Sequence, residues 1–390
     1  MNSIKNANAT ELLSCLACGG TSLREILDLG LQPLANEFTK TPEVNRLYPL
    51  KLHFCKMCSH LQLSHSVDRE YLFSNYLYVS GTTQTLKDYF LDFAKEASRK
   101  YYNGENSTVI DIACNDGTQL DAFKTLGWTT VGIDPAQNLF FDSNKSHNIL
   151  CDFLRPAHAK FLKADLIVAQ NVLAHTDNPA EFLRICGNIS DNVLIQTSQA
   201  MMIERGEFDT IYHEHLSFFS QKSMSMLARR AGMKLVDTAV TPIHGTSFVF
   251  TLSKSGEEVV DPVGPTFEDA SRFAESAQSK LVELDKVISE NRKEGRFLVG
   301  YGAAAKGMTV LNALEGTLDL IIDDSPLKQN TYSPGKNVKI SKMESLKAIS
   351  QPLTILLLAW NFEDEIKRRI SELKIEDVRY VKYFPEIKVS

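Results

Sequence analysis

The sequence predicts an α/β fold: two parallel-sheet units, the second the smaller, behind a short N-terminal module stapled by cysteines. Three observations carry the prediction. Four of the seven cysteines form two C-x-x-C pairs, Cys15/Cys18 and Cys55/Cys58. From Thr108 to about Leu252, short β-branched runs alternate with amphipathic stretches, the pattern of repeated βα units. Beyond the Gly- and Pro-containing acidic stretch Gly256–Pro265, strand and helix signals start again.

Taken in order, residues 1–65 read as the cysteine module and residues 66–103 as a helical connector, with Tyr71, Tyr76, Leu86, Phe90 and Phe93 near helical spacing. Residues 104–255 read as the first α/β domain, with strands at Val109–Ala113, Thr130–Ile133, Leu166–Ala169, Val193–Gln196 and Phe248–Leu252. Residues 256–390 form the second. They begin with a helix that puts Phe273, Ala277, Leu281, Leu284 and Ile288 on one face and ends near Gly295. Strands follow at Phe297–Tyr301, Leu318–Ile322 and Thr354–Ala359.

Composition narrows the function classes. A formal charge of −6 gives no basic footprint for nucleic acid. The longest strongly apolar run, Leu353 to Trp360, is far short of the roughly 20 residues of a membrane span. Residues 1–14 carry no apolar run of signal-peptide length, and paired cysteines suit metal ligation in a reducing compartment. The expectation is a cytoplasmic protein, and with no dimer-forming helix in evidence, a monomer.

Two C-x-x-C turns can aim four thiolates at one ion and close a tetrahedral site. Cys15, Cys18, Cys55 and Cys58 are therefore expected to hold a structural zinc ion, with no position left open for substrate. Gly19 and Gly20 follow the first pair, where such turns need positive φ. His53, His60 and His65 lie nearby, but with four cysteines present they read as ordinary histidines.

Val109 to Gly117 is a hydrophobic strand running into a turn of small and polar residues, with Leu120 and Phe123 opening a helix. A ligand there sits at the carboxyl end of the strand. The next strand ends Gly132-Ile133-Asp134-Pro135, which places Asp134 to accept hydrogen bonds from both ribose hydroxyls. The turn lacks the G-x-G-x-x-G that cradles a pyrophosphate, which argues against NAD and for S-adenosylmethionine. Asp111, Ala113, Asn115, Gly117, Asp134 and Asn171, which exits the strand Leu166–Ala169, form the candidate cofactor set.

Tyr212-His213-Glu214-His215 gathers two imidazoles, a carboxylate and a phenol, enough for general acid–base catalysis. The histidines stand two apart, which excludes the H-E-x-x-H zinc protease pattern. On an extended segment Tyr212 and Glu214 would share one side, His213 and His215 the other. Ser220 is expected to cap a helix over Lys222–Ala231. His175, after its strand, belongs at the same sheet edge. In the C-terminal domain, Gly300–Gly307 reads as a glycine-rich turn with Lys306 at a helix start, suited to a diphosphate. Asp323, Asp324 and Ser325 lie after the next strand and are expected to face a ribose, with Tyr332 and the flexible Ser333-Pro334-Gly335 turn expected to close over the base.

These motifs, in this order, resemble the nucleotide-sugar C-methyltransferases of deoxysugar biosynthesis almost end to end. The likeness runs through Cys15-x-x-Cys18-Gly19, Leu27-Asp28-Leu29-Gly30-Leu31-Gln32-Pro33-Leu34-Ala35-Asn36, Ile112-Ala113-Cys114-Asn115-Asp116-Gly117 and Gly132-Ile133-Asp134-Pro135. Its most specific element is Phe208 to Ser220, and it closes with Gly300 to Gly307 and Tyr332-Ser333-Pro334-Gly335. The resemblance implies a zinc-bearing N-terminal module, a central Rossmann-like class I methyltransferase domain and a C-terminal Rossmann-like domain that helps hold a sugar nucleotide. It implies His215 as the base, with Tyr212, Glu214 and His175 around a 4-keto-deoxysugar, and methyl transfer to carbon. Tyr76, His244, Gly302, Lys306, Asp323 and Tyr332 are the candidate substrate-binding residues. One departure stands out: His244-Gly245-Thr246-Ser247-Phe248-Val249 lacks the arginine of the family's His-Gly-Gly-Ser-x-Arg. A methyltransferase acting on oxygen or nitrogen, or a silent zinc-bearing scaffold, are the competing readings.

Overall fold

A computed structural model describes residues 9–73, 80–198, 201–243 and 246–390. The chain divides into two compact units, each assembled from separated segments. The first comprises Met1–Arg24, Phe54–Ala200 and Glu214–Pro265; the second Glu25–His53, Met201–His213 and Thr266–Ser390.

The first unit is built on a seven-stranded sheet: β1 (Thr108–Ile112), β2 (Thr129–Ile133), β3 (Asn148–Leu150), β4 (Leu166–Gln170), β5 (Asn192–Ser198), β6 (Lys234–Thr241) and β7 (Ser247–Ser253), in the order β6-β7-β5-β4-β1-β2-β3. Strands β1 to β5 pair in parallel, while β7 runs antiparallel to both β5 and β6. The strand order reverses between β1 and β4, and the crevice beyond their carboxyl ends is where open α/β sheets bind ligands.

Strands β1 and β4 are buried on both faces, and apart from Asp111 in β1 they read as largely apolar runs, as central parallel strands do. The helix Gln84–Tyr101 lays Leu86, Phe90, Ala94 and Ala97 against Val109, Leu166, Val168 and Leu194. Thr83 caps its start, and Trp128 donates its indole N–H to Ser98 at 2.8 Å. Burying each large apolar side chain stabilises by about 1.5–3 kcal/mol. The strand β6 escapes the sequence reading because it lies at the sheet edge, with half its positions open to solvent.

The second unit holds a six-stranded sheet: β8 (Phe297–Tyr301), β9 (Leu320–Ile322), β10 (Ile340–Ser341), β11 (Leu353–Leu357), β12 (Val378–Lys382) and β13 (Lys388–Val389), ordered β10-β9-β8-β11-β12-β13. All but β13 are parallel. Val299, Tyr301, Ile322, Ile355 and Leu357 form its core with Ile366 and Ile370. The helix Phe267–Lys293 enters through a Thr266/Asp269 capping box and buries Phe273, Ala277, Leu284 and Ile288. Gly295, at φ +76°, carries the chain out. Among the described residues no helix is long and apolar enough to cross a membrane.

Candidate functional site

The four sulfurs of Cys15, Cys18, Cys55 and Cys58 lie within 4.8 Å of one another. Cys15 and Cys58 are 3.6 Å apart, as are Cys18 and Cys55. Tetrahedral ligation at a Zn–S distance near 2.3 Å requires sulfurs about 3.8 Å apart, so the donor set fits zinc. The two knuckles are near copies. Gly19 N–H donates to Cys15 O and Cys15 N–H to Gly20 O; Ser59 N–H donates to Cys55 O and Cys55 N–H to His60 O. The left-handed position falls on Gly19 (φ +78°) and Ser59 (φ +57°), not on Gly20. A Cβ at Gly20 would sit 2.4 Å from Sδ of the exposed Met57, which would have to swing aside. Hydrogen bonds from Cys15 and Cys58 hold the Cys55 thiol below its ordinary value, whereas Cys15 is pushed up to about 12. Four thiols this close, three of them buried, ionise together only around a dication.

At the end of β1 the chain takes left-handed φ at Ala113 (+63°), Asn115 (+53°) and Gly117 (+85°). This folds the turn over the carboxyl edge of the sheet. Ala113 N–H donates to Ile133 O at 2.7 Å, and Asp134 ties the turn to β2. Its Oδ2 accepts from Asn115 N–H and its Oδ1 from Ala136 N–H, both at 2.8 Å. Each carboxylate oxygen can accept a second bond, so the geometry leaves Asp134 competent toward ribose hydroxyls. Asn171, at φ +55°, anchors through its N–H to Gln196 O at 2.8 Å.

The sequence reading missed one partner of this turn. Ser80 N–H donates to Asn115 Oδ1 at 2.9 Å and Gly81 N–H to Asp116 Oδ2 at 2.7 Å, so the entry to the helix Gln84–Tyr101 is seated on the turn. Backbone donors carry no side-chain signature, and nothing in the sequence announces them.

Burial, then the carboxylates of Asp134 and Asp116, push Asp111 well above its ordinary value of 3.8. Between the ordinary and raised values the native state holds a proton that the unfolded chain has lost. Stability of the ligand-free protein therefore falls as pH rises through that interval. Asp111→Asn is expected to melt higher than the parent at pH 8, the gap closing toward pH 4; calorimetry reads it at about 2–4 °C per kcal/mol. A parent that melts higher at pH 8 would refute the assignment.

His175 closes a 3-10 turn, Leu173–His175, directly after β4. Its ring centroid lies 5.2 Å from that of His215, forty positions further along the chain, and it stacks on Phe73 at 5.4 Å. The pair is held by backbone: Leu216 N–H donates to Ala174 O at 2.8 Å. Burial lowers His175 to about 4, so its imidazole is neutral at physiological pH. Tyr212, His213 and Glu214 sit in a bend and turn, not an extended segment, so the expected alternation of sides does not apply. The chain passes from the second unit to the first between His213 and Glu214. Buried His213 stacks edge-on against Tyr48 at 5.8 Å, and Glu214 is buried while Tyr212 is half-buried. Ser220 caps the helix Gln221–Arg230 in a capping box with Ser223.

In the second unit the same device recurs at the end of β8. Gly302 N–H donates to Ile322 O at 2.7 Å, and Asp323 accepts from Ala303 N–H at 2.6 Å and Ser325 N–H at 2.8 Å. Gly302, at φ +94°, is required: a Cβ would lie 2.5 Å from that of Ala359. Lys306 is in the first turn of the helix Ala305–Ala313, its Nζ 5.7 Å from the Trp360 ring centroid. Asp324, expected to face a ribose, is instead gripped by both Nη atoms of Arg369. Tyr332 bridges Thr39 and Lys339 through its backbone, and the adjoining turn is tied by Ser333, buried, with its N–H on Val338 O. Tyr76, His244 and Gly245 lie outside the described residues.

Three family models match successive parts of the chain: a zinc binding domain over residues 15–73, a methyltransferase domain over 81–238, and the C-methyltransferase C-terminal domain over 265–385. The C-methyltransferase NovU of Streptomyces niveus is 25% identical over an alignment covering 96% of each chain. Among solved structures, the magnesium protoporphyrin IX methyltransferase of Synechocystis PCC 6803 with bound SAM is 12% identical, with a TM-score of 0.34 over 44% of this chain and 79% of its own. An S-adenosylmethionine-dependent methyltransferase of Clostridium acetobutylicum is 10% identical, with a TM-score of 0.37 over 44% of this chain and 92% of its own. The cofactors are S-adenosylmethionine and a structural zinc ion. With a zinc-binding part, a methyltransferase part and a C-methyltransferase C-terminal part in one order, this chain belongs to the family of zinc-containing, S-adenosylmethionine-dependent C-methyltransferases.

Proposed function

We propose that the chain methylates the carbon beside the ketone of a nucleotide-linked 4-keto-deoxysugar. The observation that carries the reading is the His175/His215 pair at the carboxyl end of β4, the strand that neighbours β1 and its cofactor turn. Carbon methylation needs a base to ionise a C–H bond, and a ketone beside that carbon makes the ionisation accessible.

His215 is the base in this reading, since imidazole is the side chain whose chemistry best suits proton abstraction near neutral pH. His175, kept neutral by burial, donates an N–H to the enolate oxygen as charge develops there. Phe73 stacked on His175 and Phe218 edge-on to His215 pack against the two rings and help fix them. Glu214 orients, and Tyr212 adds a hydroxyl donor toward the sugar. Bound S-adenosylmethionine supplies an electrophilic methyl group; Asp134, Asn115 and Asn171 are the residues that would seat it. Gly302, Ala303 and Lys306, at the carboxyl end of β8 and the start of the next helix, suit the diphosphate, and Asp323 a ribose. The test is mass spectrometry of a panel of 4-keto-deoxysugar nucleotides incubated with adenosylmethionine and the protein. A product heavier by one methylene with the label on carbon is expected; a label on oxygen or nitrogen would overturn the reading.

A further inference from the structure

Gln62 is fully buried although it carries a carboxamide, and both ends of that group are used. Its Oε1 accepts from Leu16 N–H at 2.8 Å and its Nε2 donates to Ser14 O at 3.3 Å, so it grips the first cysteine knuckle between and beside its ligands. The next two carbonyls of the knuckle are held by Arg230, whose guanidinium donates to Leu16 O at 3.0 Å and Ala17 O at 2.7 Å.

The backbone around Gln62 leads elsewhere. Residues Leu61 and Gln62 pair antiparallel with Phe218 and Ser217, and Leu63 N–H donates to Leu216 O at 2.9 Å. Leu216 N–H in turn donates to Ala174 O. His215 precedes Leu216 and His175 follows Ala174, so a single ladder of hydrogen bonds joins the knuckle to the two imidazoles. His60, just after the second knuckle, reinforces it: its Nε2 is 3.2 Å from Ser217 Oγ and its ring is 4.8 Å from that of Phe219.

We infer that Gln62 is a positioning residue, transmitting the geometry of the zinc knuckle to His215 and His175. The zinc site then does more than hold a module folded: it sets where the base stands. This rests on the reading of those histidines as the groups acting at the substrate carbon. Displacements near 1 Å in such groups cost about 100-fold, whereas groups on the β1 turn that seat the cofactor are not on this ladder.

The test compares Gln62→Leu with the milder Gln62→Asn, which keeps a polar group but falls one methylene short of Leu16. The substrate is whichever 4-keto-deoxysugar nucleotide the panel identifies. Both variants are expected to retain wild-type zinc and adenosylmethionine affinity and to lose kcat, by about 10-fold or more in Gln62→Leu, with KM little changed. Histidine ring resonances of His175 and His215, read by NMR on zinc-loaded protein, are expected to shift in both. Wild-type kcat and unmoved resonances in both variants would overturn the inference, as would a kcat loss that follows loss of zinc in both. His215→Ala separates the two layers of argument. If it is inactive while Gln62→Leu is not, only the inference falls; if it retains turnover, the reading of the base falls first.

Discussion

Replacing His215 by alanine is expected to lower the rate of methyl transfer by about 10²–10⁴-fold, the usual contribution of a positioned acid–base group. The affinity for adenosylmethionine should be spared, because the groups proposed to seat it belong to the β1 turn, Asp134 and the exit of β4. The loss should appear in kcat and kcat/KM alike, the mark of an interaction made in the transition state. Deuterium exchange at the carbon beside the ketone provides the sharper measure, since it reports proton abstraction without methyl transfer. Exchange should vanish in His215→Ala and survive, weakened, in His175→Ala, where the base remains and only the donor to the enolate oxygen is gone. Exchange at the parent rate in His215→Ala would move the base elsewhere, with Glu214 next in line.

Much of this site was legible because its signals are local. Two C-x-x-C turns declare a four-thiolate site by spacing alone, and the sulfurs do converge. The central strands declare themselves because burial on both faces demands unbroken apolar runs: Phe297–Tyr301 falls where the sequence put it, and the reading of Leu166–Ala169 misses only Gln170. Capping is as local, and Ser220 caps its helix as the sequence reading expected.

What was illegible depends on partners distant in sequence. Nothing in Asn171-Val172-Leu173-Ala174-His175 predicts that its histidine will lie 5.2 Å from His215. Left-handed Ala113 is contrary to its own preference, since a Cβ disfavours positive φ; it is held there by the bond to Ile133 O across the sheet. Ser59 takes the turn position that Gly19 takes in the first knuckle, and a serine does not advertise it. Asp324 was misread because its partner, Arg369, comes 45 residues later. Gln62, between apolar neighbours in a short strand, has no sequence signature at all: its task is defined only by the knuckle it reaches.

Removing the zinc is expected to unfold the N-terminal module and abolish activity together. Structural zinc in comparable four-ligand sites contributes about 10–16 kcal/mol, as much as the whole stability of an ordinary domain. Beyond the hydrogen bonds from Gln62 and Arg230, the knuckles present exposed Leu13 and Met57 to solvent and depend on the ion to hold the four thiolates together. Dialysis against a strong chelator at neutral pH, or Cys55→Ser, should release one zinc ion per chain to a chromogenic indicator. Thiol titration of the chelated parent should then find all seven cysteines reactive in unfolding buffer, with Cys15, Cys18, Cys55 and Cys58 the four that become newly reactive in native buffer. The six-stranded sheet of the second unit is closed by its own core, so most of its helix and strand signal should persist in circular dichroism. The ladder from Leu61–Leu63 to Ser217–Phe218 has no such independence: it loses one side when the module unfolds, and His215 loses its fixed place with it. Restoring zinc should restore turnover with the same dependence on metal concentration as the thiol protection. Chelated protein that keeps both its spectrum and its activity would show that the thiols are held by packing alone, and the geometric match to a tetrahedral ion would then be incidental.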